Sequence, residues 1–315
     1  MSSMPALVML DAPLASLGHD PFVITGPAVI SFSGGRTSAY MLWRILQAHQ
    51  GTLPDDVLVC FANTGREHPK TLDFVANCQA HWGVPVHWLE YRRDESTGRV
   101  YAEEVGHNSA SRNGEPFRAM LRAKKMLPNP VMRFCTTELK VRTIRRWCDQ
   151  LFGKATTWTQ VVGLRADEQR RVMKMLDPKR QKKASKESRN VLLPLNTAGI
   201  TKAQVLTFFA RQNFDLEIPA HEGNCDGCFL KRKAFIARLY RTRPEAAQWW
   251  ADAERDCAGK GMINPQMALF RKDWKGGYAA IGAAVIANPE LPLPEPDPDD
   301  DGFDLFAACD AGCGV

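Results

Sequence analysis

The sequence contains no apolar run approaching the roughly 20 residues that cross a bilayer. Nor does Met1–Asp20 show a cationic start followed by an apolar segment. Neither a membrane partner nor a secretory leader is therefore expected, and the expected location is cytoplasmic. Two common phosphate signatures are missing as well. No GxxxxGK precedes a Ser or Thr, and no GxGxxG occurs, which excludes the usual P-loop and the dinucleotide fingerprint. The nine cysteines are odd in number, and without a leader they argue for reduced thiols or metal ligands rather than a disulfide framework. Aromatic residues are scarce in the one strongly basic stretch, 165–189, where ten Lys or Arg face four Asp or Glu and supply the whole net charge of +6. Such a stretch is expected to be flexible and offers a nucleic-acid contact through phosphates more than through base stacking. What remains, 315 residues that are 44% hydrophobic and 24% charged, is an ordinary globular composition with ample core.

The most informative stretch is Ala28 to Leu46. A short β-branched run breaks at Ser33-Gly34-Gly35 and resumes with helical periodicity through Tyr40, Met41, Leu42, Ile45 and Leu46. This predicts a strand, a glycine turn and a helix that Thr37 or Ser38 could cap. Glycines let the backbone approach a ligand closely, and a helix N-terminus favours an anion, so the turn reads as a phosphate site. Further strands are expected at 57–62, 84–90, 157–162 and 191–195, and helices at 69–82, from Thr136 or Thr137 to about 152, from 201 onward, at 233–240 and at 244–257. Strands alternating with helices predict an α/β, doubly wound, mostly parallel sheet with ligands beyond the strands' carboxyl ends. Residues 92–130 read as a long turn-rich loop, a lid or substrate segment.

The string Ser31-Phe32-Ser33-Gly34-Gly35-Arg36-Thr37-Ser38 resembles the PP-loop of the adenine-nucleotide α-hydrolase superfamily, which includes the N-type ATP pyrophosphatases and the phosphoadenylylsulfate (PAPS) reductases. Thr37 stands where the SGGxDS pattern has Asp. Four further strings resemble that family in order: Asn63-Thr64-Gly65 after the second strand; Cys135-Thr136-Thr137-Glu138-Leu139-Lys140; Gly163-Leu164-Arg165 with Glu168, Gln169 and Arg171; and Pro194-Leu195 followed by Thr201-Lys202. The chain thus resembles the PAPS reductase-like family over Val29 to Arg232.

The resemblance implies that Ser31, Ser33, Gly34, Gly35, Arg36, Thr37, Ser38, Asn63, Thr64, Gly65 and Gly163 bind ATP or PAPS/APS, with Mg²⁺ bridging phosphates and Glu67 and His68 facing the nucleotide. Arg165, with Arg170 or Arg171, suits a bidentate anion clamp, and Lys140 is implied to lie near phosphate or sulfate. Cys135, near a helix N-terminus, suits a thiolate that serves as ligand or nucleophile.

Cys225-Asp226-Gly227-Cys228 is the chain's CxxC, by itself a zinc knuckle or a redox dithiol. Paired with Cys135, as the resemblance implies, it suggests a 4Fe-4S cluster with one open iron, or zinc as the alternative. Two chemistries follow from the family. One is adenylation with pyrophosphate release and iron–sulfur-dependent sulfur transfer to a nucleic acid or small molecule, supplied by a sulfur or electron donor protein. The other is an oxidoreductase that reduces PAPS/APS to sulfite through a cysteine thiolate. A non-catalytic nucleotide-sensing or DNA-associated module is the third reading. The expected organisation is a lead-in (1–26), the nucleotide domain (27–220), a helical cysteine-containing subdomain (221–288) and an acidic, Pro-rich disordered tail (289–315). That tail ends in Cys309 and Cys313, which echo the mobile catalytic cysteine of the reductases only weakly.

Overall fold

A computed structural model describes residues 20–259, 268–290 and 292–293. The expectations for the lead-in before residue 20 and for Cys309 and Cys313 lie outside the described residues. In chain order the elements are β1 (Ala28–Ser31), α1 (Arg36–Ala48), β2 (Val57–Asn63), α2 (Pro69–Trp82), β3 (His87–Arg93), β4 (Val100–Val105) and α3 (Glu115–Lys124). A π-helical turn, Thr136–Val141, then runs into α4 (Arg142–Leu151) and is followed by β5 (Trp158–Val162), α5 (Gln169–Met175), α6 (Pro178–Lys186) and β6 (Arg189–Leu192). Helices α7 (Pro194–Thr197), α8 (Lys202–Phe209), α9 (Lys233–Thr242), α10 (Pro244–Gly259) and α11 (Gly277–Ala287) follow among the described residues. No described helix is long and apolar enough to cross a membrane.

The sheet order is β4-β3-β2-β1-β5-β6. All pairs are parallel except β3 with β4, so the sheet is mixed but mostly parallel, as the alternating pattern predicts. Successive strand residues point to opposite faces. Ile30, Val59 and Phe61 pack under α1, α2 and α8, whereas Val29, Cys60 and Leu89 pack under α4 through Ile144, Trp147 and Cys148. The sequence runs outward from β1 in both directions, which leaves a crevice at the carboxyl ends of β1 and β5, where connections depart to opposite sides.

Residues 92–130 are more regular than the turn-rich composition suggests, because they hold β4 and α3. The half-exposed β4 presents Glu103 and Glu104 on the edge of the sheet, a charged edge that discourages further pairing. The basic stretch is likewise ordered: Asp177 caps α6 by accepting from the backbone N–H of Lys179 and Arg180 at 3.0 and 3.2 Å, which opposes the expectation of flexibility.

Helices α9, α10 and α11 form a C-terminal helical subdomain whose core around Trp250, Phe270 and Tyr278 is continuous with Phe117 of α3 and Tyr91 of β3. The interior of that subdomain holds Glu254, which is 5% exposed. It accepts from the backbone N–H of Phe270 at 3.1 Å and of Tyr278 at 2.8 Å. Burial pushes this carboxyl up to about 7, against the lowering effect of the two N–H groups. A folded-state pKa above the unfolded one means that the unfolded chain binds fewer protons in between. Stability should therefore be full below pH ~4.5 and fall as pH rises through about 7, by roughly 3 kcal/mol. Urea denaturation of Glu254→Gln should show that slope flattened; a variant that keeps the wild-type slope would assign the slope elsewhere.

Candidate functional site

At the end of β1 the chain turns through Gly34, whose φ of +79° is left-handed and favours glycine. Gly35 is the N-cap of α1 and no side chain caps the helix, so neither Thr37 nor Ser38 serves as the expected cap. Ser38 instead closes the turn on itself. Its hydroxyl accepts from the Ser33 N–H at 3.1 Å, donates to the Gly35 carbonyl at 3.0 Å and lies 2.9 Å from the Ser33 hydroxyl. The first N–H groups of α1 have no intrahelical acceptors, and they open at the crevice beside β5. Gly163 ends that strand so close that a Cβ there would lie 3.2 Å from the Ser38 Cα.

Thr37 and Arg165 meet across this crevice, with Arg165 Nη1 donating to Thr37 Oγ1 at 2.8 Å. The same guanidinium donates through Nε to Asp167 at 2.9 Å, and its backbone N–H donates to Glu168 at 3.0 Å. Arg171 donates to the other oxygen of Glu168, whereas Arg170 is exposed. Of the expected clamp, then, Glu168 gathers Arg165 and Arg171.

Two residues of the turn face elsewhere. Arg36 makes a bidentate pair with Asp215 at 2.6 and 2.7 Å, and the Ser31 hydroxyl accepts from Gln160 within the sheet at 3.0 Å.

Asn63, Thr64 and Gly65 are buried, and protein groups satisfy them. Asn63 donates to Glu90 at 2.6 Å and to the Ser111 carbonyl at 2.8 Å, and its oxygen accepts from the Gly65 N–H at 3.0 Å. Thr64 donates to Glu67 through its N–H and its hydroxyl, both at 2.9 Å. Within the expected lid at 92–130, the turn-rich part is also packed down: Ser111 donates to Glu90 through N–H and hydroxyl at 2.7 Å, and the Asn113 carbonyl accepts from Trp249 Nε1 at 2.9 Å. Glu90, whose sequence signal is only that of the last residue of an expected strand, therefore ties the loop after β2 to this segment. His68 reaches Glu222 at 3.4 Å.

The π-helical turn carries Lys140, whose Nζ lies 3.8 Å from Glu67 Oε1. A π turn widens the helix, and such turns recur at functional sites. Here the Thr143 hydroxyl donates to the Glu138 carbonyl at 2.8 Å. Burial would raise the Glu138 carboxyl, but Lys124 and Arg142 at 2.6 Å and Arg146 at 3.7 Å hold it below the usual range.

Cys135, Cys225 and Cys228 line one cavity together with Thr64, Arg133 and Lys140. Its volume is about 30 Å³, enough for one or two waters rather than an inorganic cluster. Cys225 Sγ lies 3.6 Å from Thr64 Oγ1. Burial, reinforced by Glu67, pushes its thiol up to about 12 despite Lys140, whereas a metal ligand must be thiolate. Among the described residues no group of three or more His, Cys, Asp or Glu is disposed to hold a metal ion. The expected 4Fe-4S or zinc centre at Cys135, Cys225 and Cys228 is thereby overturned, and with it the iron–sulfur, metal-binding and oxidoreductase readings; among the described residues no carboxylate cluster offers a protein site for Mg²⁺ either.

The Cys225–Cys228 turn is instead a packing element. Asp226 accepts from Arg66 and from Trp250 Nε1, Tyr278 donates to the Gly227 carbonyl at 2.6 Å, and a Cβ on Gly227 would meet Trp250 at 2.3 Å.

No protein-family model matches the chain. Over 208 residues, 64% of this chain and 66% of the relative, it is 33% identical to the uncharacterized nin region protein ORF290 of Escherichia phage lambda. Among solved structures, the U34-tRNA thiolase NcsA from Methanococcus maripaludis, solved with its 4Fe-4S cluster, aligns over 90% of this chain and 79% of its own at a TM-score of 0.39 and 14% identity. A likeness at that score carries no inference about cluster or reaction. What stands is a mixed, mostly parallel, Rossmann-like α/β fold with a C-terminal helical subdomain.

Proposed function

We infer that the chain is a PP-loop enzyme that binds an adenine nucleotide at the Ser33–Ser38 turn and uses it to activate an acceptor for sulfur transfer, with a nucleic acid as the acceptor. The observation that carries this reading is the junction of the turn with Arg165: a glycine turn and helix N-terminus at the crevice beside β5, and a guanidinium held on Thr37 at 2.8 Å. Phosphates would take the N–H groups of the first turn of α1; Gly35 leaves room for them, since the nearest atom to a Cβ there is Ser33 Oγ at 3.9 Å, and Gly163 lets the end of β5 approach α1. Arg165, Arg171 and Lys140 would neutralise the charge that develops as an acceptor oxygen attacks the α-phosphorus and pyrophosphate leaves. A sulfur donor then displaces AMP. Asn63, Thr64 and Gly65 would shape the crevice from behind, since their polar groups are already spent on protein partners. The exposed Lys179, Arg180, Lys182, Lys183 and Lys186 of α6 suit a nucleic-acid backbone, with affinity that falls steeply with salt.

Pyrophosphate release from ATP, measured with and without single-stranded RNA or DNA, tests the reading. Arg165→Ala is expected to lower release about a hundredfold with a melting temperature close to wild type. No release from any combination would remove the enzyme and favour a nucleotide-sensing module, the reading to which Thr37 in place of a carboxylate points.

A further inference from the structure

At the junction of α9 and α10, Arg243 holds two guanidinium nitrogens, Nε and Nη2, that are sealed from solvent and have no hydrogen-bond partner. A buried cationic donor without an acceptor is costly. The side chain faces a small cavity lined also by His221, Glu222, Asp226, Lys231 and Arg238. The two carboxylates do not cancel this charge. Asp226 is engaged by Arg66 and by Trp250 Nε1 at 2.9 Å, and its carbonyl accepts from the buried Lys231 Nζ at 2.9 Å. Glu222 lies 3.4 Å from His68 Nε2 and 3.9 Å from His221 Nε2. Burial first, then the Arg243 charge, lowers the pKa of His68; burial likewise lowers that of His221, helped by Lys231 and Arg238 against Glu222. Arg66, Arg238 and Arg243 itself outnumber the Asp226 and Glu222 carboxylates here, so the field around Arg243 stays positive.

We propose that this junction is a binding site for a phosphate oxyanion, received by Arg243 Nε and Nη2 in the planar fork geometry that guanidinium offers to phosphate. It is built from α9, α10 and the 221–231 segment and does not depend on the nucleotide reading of the Ser33–Ser38 turn. The free volume is about 10 Å³, that of a single water. The oxyanion therefore enters by displacing the Glu222 carboxylate, which is 26% exposed and sits in the same cationic field. The chemistry is shared by free phosphate and by a nucleic-acid phosphodiester.

The test is calorimetric titration of the full chain with inorganic phosphate, using wild type, Arg243→Gln, Glu222→Gln and Ser38→Ala. Arg243→Gln is expected to weaken phosphate binding about tenfold or more while its melting temperature in phosphate-free buffer stays the same or rises, because an unpartnered buried cation has gone. Glu222→Gln should tighten binding, and Ser38→Ala should retain it. Displacement of bound phosphate by a short oligonucleotide without terminal phosphates would identify a phosphodiester as the ligand; retention would identify the free ion. Absence of phosphate binding, wild-type binding by Arg243→Gln, or binding lost in Ser38→Ala but kept in Arg243→Gln would each overturn the site.

Discussion

Alanine at position 34 is expected to destabilise the chain by about 2–5 kcal/mol and to abolish adenine-nucleotide binding. Gly34 sits at φ +79°, and an added Cβ would lie 2.7 Å from Thr71 Cγ2 and 3.1 Å from Phe61 Cε2. The left-handed backbone and the lack of room act together. Thr71 belongs to α2 and Phe61 to β2, so relief would require shifting elements of the main core. Gly35 provides the contrast. Its backbone is extended, and the nearest atom to an added Cβ is Ser33 Oγ at 3.9 Å. Gly35→Ala should therefore melt within a few degrees of wild type yet bind ATP more weakly, because its methyl group would stand over the anion site. Thermal melting paired with ATP titration separates the two. Wild-type stability of Gly34→Ala would contradict the geometry of the turn, and wild-type binding by Gly35→Ala would contradict its use.

Glu90→Ala is expected to cost about 3–5 kcal/mol and to loosen the loop after β2 and the 108–114 segment together. This wholly buried carboxylate accepts from Asn63 Nδ2 at 2.6 Å, from Ser111 N–H and hydroxyl at 2.7 Å, and from Arg92 Nη2 at 2.6 Å. Its removal takes an acceptor from the buried Asn63 and from the half-buried Ser111 and Arg92, and the buried amide carries the largest desolvation penalty. Asn63 then loses the bond that aims its oxygen at the Gly65 N–H. Urea unfolding should show the loss, and hydrogen exchange should show the amides of 108–114 exchanging faster in the native state. A loss below about 1 kcal/mol with unchanged protection would show that the two segments are held by packing alone.

The residues that could be read from sequence are those whose signal is local. Pro69 to Trp82 is helical as expected because Pro opens the helix, His68 caps it by accepting from the Lys70 N–H, and Gly83 closes it at φ +63°. Thr201 and Gln204 form the capping box that starts α8. The third strand, expected at 84–90, lies at His87–Arg93. Pro85 cannot donate to a neighbouring strand, which displaces the pairing toward the C-terminus. Strand β4 was hidden because its partly exposed residues give neither a continuous apolar run nor a clean alternation.

The site divides along the same line. The glycine turn, Gly163 and Arg165 lie at strand ends that periodicity locates, and they do converge. The cysteines do not behave as their spacing suggests. Some ninety residues separate Cys135 from the CxxC, and the orientation of Cys225 is fixed by an antiparallel bridge to Glu67 that no local pattern encodes. Glu90, Lys231 and Arg243 owe their importance to burial, which a charged residue in a sequence does not announce.

The binding of ATP at the turn is tested most directly by titrating ATP into isotopically labelled protein and following backbone amide shifts. If the turn and the end of β5 receive the phosphates, the amides of Gly34, Gly35, Thr37 and Gly163 should move together and saturate, and Gly35→Ala should right-shift that curve. Saturable ATP binding that leaves these amides in place, or no binding at all, would contradict it.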